Sequence, residues 1–482
     1  MKRVLGQLQG ALRDGWEYNR PCSAGALAPA ACESPMSVAR ALVGCVFLVA
    51  GCATEAAQPT SQPVQGTVLF EGARLIAGDG RAPTESSAFV VENGRFARVG
   101  RKGDVPLPQG AQRIDLTGKT VIPALIDLHS HLGYYDVKTM TNSAQNYTRA
   151  NLIDHLNRYA YHGIAATLSL GLDRGDLPFQ LRAETGSGTA LFRTAGRGIA
   201  WPNAGPRADY WRDAPYGVQT AGEARKAVQE LAARNVDFVK IWVDDRDGTV
   251  PKLPLELYRA VIDEAHAHKL RVVAHVYYLA DGKDLLRAGI DGFAHGIRDL
   301  EVDDEFIGLF KARPDVFLIP NLPDRAPLAS DLALLSETFP PEQIASMREA
   351  SAKGSPARPR LFDVQARSLA RLNAAGVRIG FGTDAGVGAP LGWAAHAELA
   401  EMVESGLTPA QALVAATRTS ADILRLDQRG MVGQGRFADF IVLDANPLEN
   451  ISNTRRIDSV YLSGKRVDRR TLRAAWSGRS SD

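Results

Sequence analysis

Four histidines, one lysine and one aspartate stand near the ends of apolar runs in this 482-residue chain. His129 and His131 close the run VIPALIDLHSHLG, residues 121 to 133, in which six of the first eight residues are apolar. Side chains on a strand alternate between faces, so both imidazoles point the same way. Two neutral imidazoles on one face can share a metal ion. On the pair alone, which is short and common, the plainer alternative of two polar residues bonded to a loop at a strand end is favoured. Lys240 sits inside VDFVKIWVDD, flanked by Phe238, Val239, Ile241 and Trp242. Burying it charged and alone is costly, and the alternative is a stem that snorkels to solvent. His275 ends RVVAHVY, His295 ends IDGFAH, and Asp384 lies in FGTDAG. Singly, the two histidines suit a core and the aspartate suits a turn or a helix N-cap. Jointly, they require one framework that brings distant strand ends together.

That framework is visible as a change of pattern. From 66 to 119 the runs are short, alternating and punctuated by glycine, as in TVLFEGARLI and AFVVENGRFARVG, which indicates β structure. From 120 to 429 apolar runs alternate with amphipathic stretches such as AGEARKAVQELAARN and PLELYRAVIDEAHAH. The strand-like runs are VIPALIDLH, GIAATLSL, LFRTAGRGI, VDFVKIWV, RVVAHVY, IDGFAH, VFLIPNL and VRIGFGTD. Eight strand–helix units predict an α/β fold, a (β/α)8 TIM barrel, whose active site forms at the carboxyl ends of its strands. Residues 430–470 return to β patterning, so both chain ends are expected to build one small β-sandwich domain, with 471–482 as a tail. The other histidines, His155, His162, His266, His268 and His396, fall on helical stretches and read as structural or surface groups.

With these residues in place the chain resembles the metal-dependent amidohydrolase superfamily over about residues 66 to 470. The likeness rests on VIPALIDLHSH, HGI, FGTDAG, the stretch AELAEMVESGLTPAQALVAATRTSADIL and the ending GQGRFADFIVLDANPLENI. It implies two divalent metal ions, zinc, iron or manganese. His129, His131 and Asp384 would hold one, His275 and His295 the other, and a carboxylated Lys240 would bridge them. The sub-pattern is most similar to the prolidase-like group, including Xaa-Pro dipeptidases and imidazolonepropionase-like proteins, through His275-Val276-Tyr277. Deaminases of the superfamily usually carry a glutamate three residues after the fifth-strand histidine, where this chain has Tyr278. An Arg-Asp pair frequent at the end of strand two is replaced by Leu168 and Ser169.

The chemistry so implied is hydrolysis of amide C–N bonds, in dipeptides or N-acyl amino acids, by attack of a metal-bridged hydroxide. Water on zinc reaches a pKa of roughly 7. Asp384 would move the proton to the leaving nitrogen, and Tyr277 would donate to the oxyanion or merely pack at the barrel mouth. An aryl urea, aryl amide or lactone hydrolase on the same site, or a lipid-anchored binding protein on an inactive barrel, are the competing expectations.

All four cysteines, Cys22, Cys32, Cys45 and Cys52, fall in the first 52 residues. Residues 36–51 carry Arg40 and an apolar run from Ala41 to Ala50, too short for a membrane span but suited to a signal segment. Val49-Ala50-Gly51-Cys52 resembles a bacterial lipoprotein motif. The expected order is a leader over 1–51, beginning at Met1 or Met36, a lipidated Cys52, and a polar tether over 52–65. That places the protein outside the cytoplasm on a lipid anchor. The segment before Cys52 holds two more basic than acidic groups, so the remainder is formally neutral and carries no basic field for nucleic acid.

Overall fold

A computed structural model of the protein describes residues 66–477 apart from 187, 323–326, 354–357 and 387–389. The leader, Cys52 and the tether lie outside the described residues. The run Val121–His129 is two strands, not one. Thr120–Pro123 pairs antiparallel with Phe440–Leu443, and the Ala124 amide donates to Asp439 O at 3.1 Å. The chain then enters β1 (Leu125–Ser130), buried throughout.

β1 pairs in parallel with β2 (Ile164–Ser169), and β2 with β3 (Leu191–Thr194). The chain beyond β3 continues the same strand line, where Ile199 pairs with Ile241 of β4 (Val239–Val243). β4, β5 (Val272–Val276), β6 (Gly292–Ala294), β7 (Phe317–Ile319) and β8 (Arg378–Ile379) then follow in order, all parallel. Past β8 the chain runs beside β1: Leu128 N donates to Phe381 O at 2.9 Å and His131 N to Ala385 O at 2.7 Å. The ring of backbone bonds therefore returns to its start. Strands β6 to β8 are only two or three residues long, because the chain beyond them turns into the site. At Gly382 a Cβ would lie 2.6 Å from Ile319 Cγ2 and 2.9 Å from His129 Cβ, so only glycine lets this segment pass so close.

The intervening helices follow the amphipathic stretches. Ala221–Ala233 starts with a capping box between Thr220 and Glu223, and it buries Ala224, Ala227, Val228 and Leu231 on one face. Leu255–Ala267 buries Leu257, Tyr258, Val261, Ile262 and Ala265. Of the five histidines on helical stretches, His155, His162 and His396 are buried, and His155 accepts from Gly133 N at Nδ1 and donates to Tyr135 O from Nε2. His266 and His268 face Asp291 and Glu264.

The β-rich ends meet. One sheet of four strands draws on residues 68–115, and a second of five strands joins Arg74–Leu75 and Thr120–Pro123 to Phe440–Leu443, Ile457–Leu462 and Lys465–Arg466. Phe70 and Phe89 stack at 5.1 Å and meet Phe440 edge-on, at 5.2 Å each. Where a tail was expected, Arg469–Ser477 is a helix: Leu472 is buried and Trp476 Nε1 donates to Asp154 at 2.6 Å. No helix among the described residues is long and apolar enough to cross a membrane.

Candidate metal centre

The end of β1 delivers the first two ligands. His129 is fully buried, with its Nδ1 2.8 Å from Asn321 Oδ1. Its Nε2 is 3.2 Å from His131 Nε2. Asp384 Oδ1 completes a triangle, 3.4 Å from His129 Nε2 and 3.1 Å from His131 Nε2. Among the described residues this is the group of His, Cys, Asp and Glu donors able to hold a metal ion. Donors about 2.0–2.1 Å from a tetrahedral ion lie ~3.3 Å apart, which is the spacing found. The donors therefore fit a divalent cation.

The remaining sequence-predicted ligands lie beside this triangle. His295 Nε2 is 3.8 Å from Asp384 Oδ2, and the His295 ring is edge-on to His129 at 5.0 Å and to His275 at 4.7 Å. His275 Nε2 is 3.1 Å from Asp244 Oδ2. Lys240 extends from β4 and is wholly buried, and its Nζ has no hydrogen-bond partner among the described residues. Burial pulls its amine down to about 7; Asp384 acts to raise it and Arg298 to lower it. Burial likewise holds the His129 and His295 imidazoles well below their usual range, so both are neutral. Desolvation acts to raise the Asp384 carboxyl, but His129 and His131 outweigh it and hold it far below the ordinary range. Neutral imidazoles and an ionised carboxylate are the states a metal requires. Tyr277 lies half-buried just past β5, with its carbonyl accepting from Arg298 N at 2.9 Å.

Three of these positions are strained. His295 has φ +94°, Asp384 +55° and Asn321 +42°, conformations that non-glycine residues adopt at a cost and that cluster at functional sites. Gly386, with φ +106°, lies where a Cβ would be 1.9 Å from His131 O. The loop carrying Asp384 can reach the His129–His131 turn only because that position has no side chain.

Sequence reasoning missed four residues that contact this group. Asp127 is buried two positions before His129 on the same strand face, and it accepts from His129 N at 3.0 Å, Thr383 N at 3.1 Å, Thr383 Oγ1 at 2.6 Å and Tyr159 Oη at 3.1 Å. It ties β1 to the Asp384 loop. Burial raises its carboxyl to about 6, against those hydrogen bonds. A carboxylate amid VIPALIDL was a signal that could have found it. Asp244 orients His275 and follows the Lys240 strand directly. The His275 bond brings its carboxyl down to about 2 although burial works the other way. Asn321 gave no signal, because its contact with His129 joins separate strands, and Arg298 gave none, because it meets His295 within an irregular segment past β6.

The geometry now meets the comparisons with known proteins. Residues 120–467 match the amidohydrolase family, and the chain belongs to it. It is 27% identical over 448 residues to ochratoxinase of Aspergillus niger, covering 83% of this chain and 86% of that one. It is 24% identical over 398 residues to enamidase of Eubacterium barkeri, covering 80% and 88%. A solved structure from Bifidobacterium longum, provisionally designated a prolidase, superposes with a TM-score of 0.65 at 26% identity, covering 85% of this chain and 98% of that one. The chain is a hydrolytic enzyme acting on carbon–nitrogen bonds. The expectation of a binding protein on an inactive barrel is set aside.

Proposed function

We propose that the protein hydrolyses amide bonds in dipeptides or N-acyl amino acids at a binuclear metal site on a closed (β/α)8 barrel flanked by a small β-sandwich. The observation that carries this reading is the tetrahedral spacing of His129, His131 and Asp384 beside an unpartnered, buried Lys240. His129, His131 and Asp384 would hold one ion, and His275 and His295 the other. When bound, divalent metal supplies Lewis-acid polarisation of the amide carbonyl and activation of water at neutral pH.

The chain's own residues do the rest. Lys240, with its pKa brought down to about 7, presents a neutral amine in a large fraction of molecules near neutral pH. Attack of that amine on carbon dioxide would form an N–C bond as one C–O π pair moves onto oxygen, and release one proton, leaving a carbamate whose negative charge attracts cations where the neutral amine had none. Asp384 takes a proton from the attacking water at Oδ2 and passes it to the leaving nitrogen. Tyr277 donates to the oxygen that develops negative charge. Burial around His129 and His295 keeps both imidazoles neutral.

The similarity to ochratoxinase and to the Bifidobacterium structure supports an amide or peptide substrate. A second reading, an aryl amide or aryl urea, draws on the aromatic wall beside the site, where Trp211 lies 5.9 Å from the His131 ring and 4.7 Å from Tyr210. A panel of dipeptides, N-acyl amino acids, aryl amides, aryl ureas and lactones, with metal analysis of the purified protein, tests both. Turnover confined to lactones would reject the amide reading. Labelled bicarbonate and carbon-13 spectroscopy test the carbamate, and a bare amine in an active enzyme would reject it. We further propose that Cys52 anchors the protein on the outer side of a bacterial membrane. Lipid labelling that persists in Cys52→Ala would reject that.

A further inference from the structure

Arg298 stands three residues past His295, half-buried, and faces the metal centre. Its Nη2 donates to His295 Nδ1 at 2.8 Å. A guanidinium has donors only, so Nδ1 is the acceptor and the ring proton sits on Nε2, the nitrogen turned toward Asp384. A neutral imidazole has one lone pair available in the ring plane. Once a metal takes that lone pair through either nitrogen, the other nitrogen is N–H, and Arg298 can no longer donate to it. Metal on His295 therefore releases Arg298.

The freed guanidinium has no carboxylate partner ready. No ion pair joins Arg298 to a carboxylate among the described residues. Nearby Asp299 accepts from Leu279 N at 2.9 Å, and Asp244 from Arg246 N at 2.9 Å besides its contact with His275. The positive charge of Arg298 is nonetheless felt at Lys240, His275 and Asp244, so it borders the reacting region. We infer that Arg298 receives the carboxylate of the substrate, so that metal binding both arms the site and uncovers its recognition group. The substrates are then amides with a carboxylate close to the scissile bond. This rests on the proposed amide hydrolysis with His295 as a ligand.

The test uses one N-acyl amino acid and the same amide with hydrogen in place of the carboxylate. The zinc-loaded enzyme should favour the first. Arg298→Met should lower the ratio of the two kcat/KM values by roughly 10- to 100-fold, the loss usual for a charge-assisted pair, and mainly through KM. Arg298→Lys, which keeps the charge but not the fork, should lie between, and it answers alone should the methionine variant fail to fold. Zinc affinity of the metal-free protein, measured by chelator competition, should be no weaker in Arg298→Met, since a competitor for the His295 lone pair is gone. An unchanged ratio would overturn the inference while amide hydrolysis stands. Weaker zinc binding with equal loss on both substrates would also overturn it, by making Arg298 a support of the metal centre. Cleavage of neither amide by wild type would overturn the proposed function itself.

Discussion

Lys240→Met should stabilise the metal-free protein and disable the metal-loaded one. The amine is buried without a partner, and its pKa falls from 10.5 to about 7. At about 1.36 kcal/mol per pKa unit, the fold binds that proton roughly 5 kcal/mol less firmly than the unfolded chain does. Between pH 7 and 10.5 the unfolded chain carries the proton and the folded one does not, so stability rises with pH across that window. Below pH 7 both states carry it, and this group adds no further slope. At pH 7.5 the deficit is about 4 kcal/mol, and at pH 9.5 about 1.5 kcal/mol. Methionine has similar length and no proton to lose. Urea unfolding of chelator-treated protein should therefore show the variant ahead at pH 7.5, with the gap narrowing by about 2.5 kcal/mol at pH 9.5. With zinc present the order should reverse. Wild type should gain stability from the bound ion, whereas the variant, without the proposed bridging group, should lose metal and turnover. Stability curves that run parallel from pH 7.5 to 9.5 would refute the picture of an unprotonated, partnerless amine.

Asp384→Asn should leave the fold intact and lower kcat by roughly 10²–10⁴-fold, the range for a lost acid–base group; a fall of less than tenfold would remove Asp384 from proton transfer. Asp244→Ala should weaken zinc binding by roughly 10- to 100-fold in chelator competition, because His275 loses the carboxylate that orients it; equal affinity would make Asp244 a bystander. Gly386→Ala should lose zinc with little change in far-ultraviolet dichroism, since its Cβ meets His131 O at 1.9 Å in a φ +106° conformation; full zinc occupancy in that variant would show that the loop can shift freely.

Much of this protein is written along the chain. The eight parallel strands, the helices between them and the β character of both ends follow from local periodicity, because burial on one face repeats every two residues in a strand and every 3.6 in a helix. The six expected positions stand out in the sequence as titratable groups inside or at the ends of apolar runs, costly unless employed, and the structure draws three of them, His129, His131 and Asp384, into one donor group. Tertiary structure decided what supports them. Pro123 and Ala124 end one strand and open another because Phe440–Leu443 and Asp439 supply the partners, which no local pattern reveals. Asn321 meets His129 across 192 residues, and Thr383 meets Asp127 across 256. The positive φ of His295 and Asp384, and the turn of Arg298 onto His295, arise where several strand ends compete for one small volume. Sequence spacing determines which side chains share a face. Which nitrogen or oxygen each one meets is set largely by packing among segments distant in sequence, and that exists only once the ring of strands has closed.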